Sequence, residues 1–231
     1  MKSILRIGLA ICLLAGQPAT AFELDIVTHR QVNASRLLTP PPHLDSAQQQ
    51  REMQIVVAAQ RTRSAEQSAK AIADNELSFF RFDDVLGPRF EARALPLTTK
   101  FFSKITKLQS AILRHAKKDW NRPRPFETNA DLKPIGEVPT SRSYPSGHAH
   151  FGFLAAIVLS QMVPEKAADI GARGREYGNN RIVAGVHYPS DVEAGQQVAT
   201  ATAAFLLADP TFRKDLAAAR TELRRRLGYA D

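Results

Sequence analysis

The chain has 231 residues, 44% of them hydrophobic and 23% charged, with a formal net charge of +8. That length and balance fit one compact domain with a real core, and fit neither a disordered chain nor several domains. A moderately basic chain suits an anionic substrate, nucleic acid or an anionic membrane surface alike, so charge alone selects no partner.

The first 21 residues read as a secretory signal peptide. Lys2 and Arg6 give a positive start, Ile7 to Gly16 is a short apolar run, and Ala19-Thr20-Ala21 follows Pro18 with the small residues of a cleavage site. The apolar run is too short for a permanent membrane span. Ile11, before Cys12, is too large for a lipoprotein site. Cleavage leaves 210 residues from Phe22, without a cysteine and with a formal charge of +6, so packing alone must stabilise the mature chain.

Residues 22–44, with Pro40-Pro41-Pro42, read as an extended arm. From Asp45 to about Glu76 the chain lacks Gly and Pro, which predicts one long helix or two closely linked ones, capped by Asp45 or Ser46. After Gly87-Pro88 and Pro96, the spacing of Phe101, Ile105, Leu108 and Ile112 predicts a helix ending near Lys117–Trp120, before Pro123 and Pro125. Residues 126–145 read as a loop. A helix over Gly147–Met162, apolar on every side from Phe151 to Leu159, is expected at the centre of the fold. Another runs from Pro164 through Tyr177. The next opens at Ser190 with a Ser190/Glu193 capping box and buries Val198, Ala201 and Phe205. A charged helix over about Pro210–Leu227 closes the chain. No segment has sustained strand periodicity, so the expected fold class is all-α.

Three segments concentrate chemistry: Lys117-Lys118-Asp119-Trp120-Asn121-Arg122-Pro123-Arg124-Pro125; Tyr144-Pro145-Ser146-Gly147-His148; and Asn180-Arg181 followed by His187 and Asp191. A phosphate monoester is a dianion whose transition state spreads charge over three oxygens, and fixed cations and backbone N–H groups stabilise it. Arg124 and Arg181 supply planar forks, Lys117 a point charge, and Ser146-Gly147 the N-terminus of a helix. Asp191, four residues after His187, can fix that imidazole's tautomer and leave its other nitrogen as nucleophile. His148 can protonate the leaving alcohol.

The pattern Lys-x6-Arg-Pro, Pro-Ser-Gly-His, Arg-x5-His-x3-Asp resembles the three-part motif of the type-2 phosphatidic-acid phosphatase superfamily, and within it the soluble bacterial class A non-specific acid phosphatases. The resemblance implies a helical bundle around a central buried helix, shared with vanadium haloperoxidases. It also implies a periplasmic location, small phosphomonoester substrates, and no catalytic metal or other cofactor. By position, His187 would be the nucleophile, His148 the general acid and Asp191 the orienting carboxylate; Lys117, Arg124, Ser146, Gly147 and Arg181 would bind phosphate. The chain departs from the family at Asn180, usually Ser, and at Arg142 and Ala149, commonly Gly and Thr.

Neither nucleic acid nor a membrane anchor of the mature chain is expected; a homo-oligomer stays open. Three rival readings also stay open: a vanadium-dependent haloperoxidase, a lipid phosphate phosphatase, and a catalytically silent phosphate-binding protein. His29, His43, His115 and His150 read as ordinary packed or solvated histidines, and the hydroxyl of Ser146 is also a natural helix cap.

Overall fold

The computed structural model describes residues 31–230. The signal peptide read over residues 1–21 and the first part of the arm lie outside the described residues. Ten α-helices occur among the described residues, and no strand. The arm contains a short helix, α1 (Ala34–Leu37), capped by the Asn33 side chain. The long Gly/Pro-free stretch forms two helices, α2 (Ala47–Thr62) and α3 (Ala65–Ala73). Ser46 caps the first. Arg63 turns extended between them, and Ser64 starts the second with a reciprocal box to Gln67.

A 3-10 turn (Phe79–Phe82) and α4 (Asp83–Leu86) lead to α5 (Pro96–Trp120). This long helix buries Phe101, Ile105, Leu108 and Ile112 as their spacing requires. Asn121, left-handed at φ 46°, ends it. The expected loop over 126–145 is entered by a short helix, α6 (Pro125–Thr128).

The central helix α7 (Gly147–Met162) is capped by the Ser146 side chain. It packs on α8 (Ala167–Val183) and α9 (Pro189–Ala208), and α10 (Pro210–Leu227) closes over it. The expected helix from Pro164 runs six residues past Tyr177, so Asn180 and Arg181 lie on its last turn.

Two expectations for α9 fail. Its first residue is Pro189, not Ser190, because proline's fixed φ suits the first helical position. The carboxylate reaching back is Asp191, which accepts from the Tyr188 N–H at 2.9 Å, while the Ser190 hydroxyl bonds Glu52. Phe205 is 46% exposed; the buried face carries Val198, Ala199, Thr202, Ala203 and Leu206, so the apolar stripe is rotated by one residue.

Glycines let α7 approach its neighbours. A Cβ on Gly195 of α9 would lie 2.5 Å from the Ser146 carbonyl oxygen, and one on Gly174 of α8 would lie 2.5 Å from the Ala156 Cβ. This close packing sets the start of α7 directly against α8 and α9. No described helix is long and apolar enough to cross a membrane.

Candidate active site

The C-terminal end of α5, the segment leading into α6, the start of α7 and the α8–α9 turn meet at one cavity of about 320 Å³. Lys117, Arg124, Gly147, His148 and His187 line it, with Leu113, Arg114, Pro139 and Ser141. Residues 70 positions apart in the chain, Lys117 and His187, thus share one anion-sized space with room for an alcohol group.

His187 is placed by the turn after α8. Gly185, at φ +78°, lets the chain reverse, and the N–H groups of Val186 and His187 both donate to the Arg181 carbonyl. The His187 Nδ1 then sits 3.0 Å from Asp191 Oδ2. Its Nε2 lies 3.1 Å from Arg124 Nη1. A guanidinium can only donate, so Nε2 carries a lone pair and Nδ1 carries the proton. Burial, then the nearby Arg124 charge, pushes the His187 pKa well below its ordinary 6.5. The imidazole is therefore neutral, with the Nε2 lone pair at the cavity.

Asp191 is fully buried. Burial alone would raise its pKa, but the hydrogen bond from His187, the charge of Arg122 and the hydrogen bond from Ser143 outweigh it and hold the carboxyl below the usual range. Ser143 Oγ donates to Oδ2 at 2.5 Å, and Arg122 Nη1 donates to Oδ1 at 2.7 Å. Arg122 reaches Gln49 Oε1 and Glu52 Oε2 of α2 through Nη2.

Arg124 is clamped by carbonyls: Nε donates to Ser141 O and Nη1 to Val186 O, each at 2.7 Å. Lys117 Nζ donates to Arg142 O at 2.6 Å. Burial, then the Arg124 charge, lowers the Lys117 pKa to about 7. An incoming anion would reverse that second effect.

Ser146 is buried, and its hydroxyl accepts from the Ala149 N–H at 3.3 Å, so the capping role is the one it fills here. Among the described residues the N–H groups of Gly147 and His148 find no acceptor, as expected for the first turn of a helix. These free donors suit an anion.

His148 donates from Nε2 to the Asn75 carbonyl at 3.1 Å. A carbonyl only accepts, so the exchangeable site is Nδ1. Burial, then the charge of Arg181, lowers its pKa to about 3.

Arg181 and Asp191 are buried and are not among the residues that line the cavity. Arg181 is 1% exposed, donates from Nη1 to Asn75 Oδ1, and leaves Nε buried without a partner. The Asn180 amide donates to Asp74 at 2.8 Å, so this departure from the motif is absorbed by a buried carboxylate away from the cavity. Arg142 pairs with Glu127 at 3.5 Å, and Ala149 is fully buried between Gly178 and Gly195. Of the histidines set aside, His150 is fully buried and bonds Thr202 at 3.1 Å.

Sequence reasoning missed Arg122, Ser143 and Asn75. Arg122 lies inside the first motif segment and Ser143 directly precedes the second, so both could have been suspected there. Nothing in the sequence marks Asn75.

The family model described as the PAP2 superfamily matches residues 98–215, about half of the chain and all three motif segments. The chain belongs to the PAP2 superfamily. It is 32% identical over 197 residues to an acid phosphatase of Zymomonas mobilis subsp. mobilis, covering 80% of this chain and 74% of that protein. A non-specific acid phosphatase of Salmonella typhi is 31% identical over 201 residues, covering 83% of this chain and 80% of that protein. A solved bacterial vanadium-dependent chloroperoxidase superposes with a TM-score of 0.56 at 13% identity, over 84% of this chain and 52% of that one. That likeness concerns the fold, and this chain spans about half of the peroxidase's length.

Proposed function

We propose that the chain is a periplasmic acid phosphatase that hydrolyses small phosphomonoesters through a phosphohistidine on His187. One observation carries the reading: a neutral His187, its Nδ1 proton engaged by Asp191, offers the Nε2 lone pair to a cavity shared with Lys117, Arg124 and His148. Relatives at about 31–32% identity named as acid phosphatases support it.

In the first step Nε2 of His187 attacks phosphorus. The N–P bond forms, the P–O bond to the alcohol breaks, and the leaving oxygen takes the Nδ1 proton of a cationic His148. In the second, water attacks phosphorus, His148 Nδ1 takes the water proton, and the P–N bond breaks. Inorganic phosphate leaves, and both imidazoles return to their starting states. Arg124, Lys117, Arg181 and the helix N–H groups stabilise the equatorial oxygens.

Positive charge is supplied by fixed side chains, so the scheme needs no metal ion. Among the described residues no group of three His, Cys, Asp or Glu side chains is arranged to hold one. A His148 whose pKa is lowered to about 3, first by burial, requires acid, or the charge of a bound dianion, to become the donor. An acidic optimum follows. The signal peptide over residues 1–21 delivers residues 22–231 as a single phosphatase domain.

The test is hydrolysis of p-nitrophenyl phosphate by the purified chain. His187→Ala should abolish turnover, vanadate should inhibit and EDTA should not. Turnover retained by the variant would rule out the assigned nucleophile.

A further inference from the structure

The turn after α3 puts one residue in contact with two separate parts of the site. Asn75 Oδ1 accepts from Arg181 Nη1, and its main-chain carbonyl accepts from His148 Nε2 at 3.1 Å. These partners lie 106 and 73 residues further along the chain. The turn itself is anchored. The preceding Asp74 is fully buried and accepts from both Nη atoms of Arg173, at 2.9 and 2.6 Å. The following Glu76 carbonyl accepts from the Tyr177 hydroxyl. Three residues on, Phe79 stacks on Phe102 at 3.9 Å, rooting the segment in the core. Gly136, at φ +74°, packs its backbone where a Cβ would overlap the Asn75 amide, so the opposite loop closes the other side.

We propose that Asn75 is a positioning residue, which aims the Arg181 guanidinium at the phosphate site while its carbonyl keeps His148 in register. The proposal rests on the phosphatase reading for its consequence in turnover. Its chemistry explains why an amide suits the position. Arg181 is buried, and among its nitrogens Nε has no partner, so the guanidinium needs a fixed acceptor to hold its orientation. A neutral amide oxygen holds it without cancelling its charge. A carboxylate would hold it too, but would compete with phosphate for it. Alanine would hold nothing.

Binding of inorganic phosphate, followed by calorimetry, tests this on the wild-type chain and on the Asn75→Ala, Asn75→Asp, Arg181→Ala and Asn75→Ala/Arg181→Ala variants. Asn75→Ala should weaken binding about tenfold or more, the loss of one charged hydrogen bond. Asn75→Asp, which keeps the size of the side chain and serves if the alanine variant misfolds, should also weaken it. The double variant should bind no more weakly than Arg181→Ala alone, because Asn75 acts through that arginine. In steady-state assays of p-nitrophenyl phosphate, KM should rise more than kcat falls. Unchanged phosphate binding in either Asn75 single variant, or additive losses in the double variant, would overturn the assignment. If the wild-type chain binds phosphate but hydrolyses no ester, the phosphatase reading fails alone, and the binding series still decides the role of Asn75.

Discussion

Arg122 Nη1 donates to Asp191 Oδ1 at 2.7 Å, so the carboxylate that orients His187 is itself held by a buried cation from the segment before α6. The same guanidinium ties Asp191 to Gln49 and Glu52 of α2, and its plane lies over the Tyr188 ring at 4.2 Å. The orientation of His187 is therefore set by a chain of contacts running from α9 through Arg122 to α2.

Removing that cation strands two buried carboxylates. Arg122→Ala should destabilise the fold by about 3–5 kcal/mol, the usual consequence of breaking a buried ion pair from one side. Arg122→Lys should recover only part of this, since one ammonium cannot span the fork that bridges Asp191 to Gln49 and Glu52. Urea denaturation checks the first effect, and kcat of the lysine variant checks the second.

Phosphate binding should take up protons. Lys117, at about 7, and His148, at about 3, are depressed first by burial and then by neighbouring cations. A dianion offsets the cations and raises both values. Calorimetric titrations near pH 6.5, repeated in buffers of different ionisation enthalpy, should show net uptake. Equal heats in all buffers would contradict it.

Stability should fall as pH drops below about 6.5. His148 and His150 fall from the ordinary 6.5 to about 3 in the folded chain, and His187 shifts the same way, all first through burial. The unfolded chain therefore binds protons below 6.5 that the folded chain refuses. Each such histidine contributes a limiting slope of about 1.4 kcal/mol per pH unit. The contribution is complete above 6.5 and is lost as pH falls toward 3. Asp191 adds a further loss only below its ordinary 3.8, because its folded value is depressed. Thermal melts across pH 4–8 without phosphate check the sign, and added phosphate should flatten the profile.

Packing at the start of α7 gives a fourth expectation. Gly195→Ala places a methyl group 2.5 Å from the Ser146 carbonyl and 2.9 Å from the Ala149 Cβ. Backbone cannot move as a flexible side chain can, so the variant should lose about 1–3 kcal/mol. Because the displaced turn carries Gly147 and His148, its kcat should also fall. A thermal melt paired with an activity assay checks both.

Local signals carried much of this molecule. The apolar periodicity of α5 and the all-round apolarity of α7 announce elements whose burial is decided by their own side chains. The spacing of His187 and Asp191 is likewise a local property of one turn entering one helix. What stayed hidden depends on distant partners. The exposure of Phe205 rests on the rotation of α9 against α7. Asn75 contributes through one carbonyl and one amide oxygen, whose value exists only once α7 and α8 have been brought beside the turn after α3.

The most direct test is to trap the covalent species. Mixing the chain with excess p-nitrophenyl phosphate, quenching within the first turnovers in alkaline denaturant and mapping the peptides by mass spectrometry should find phosphate on His187. Phosphate on Ser146 or any other residue, or rapid turnover with no phosphorylated peptide, would contradict the account.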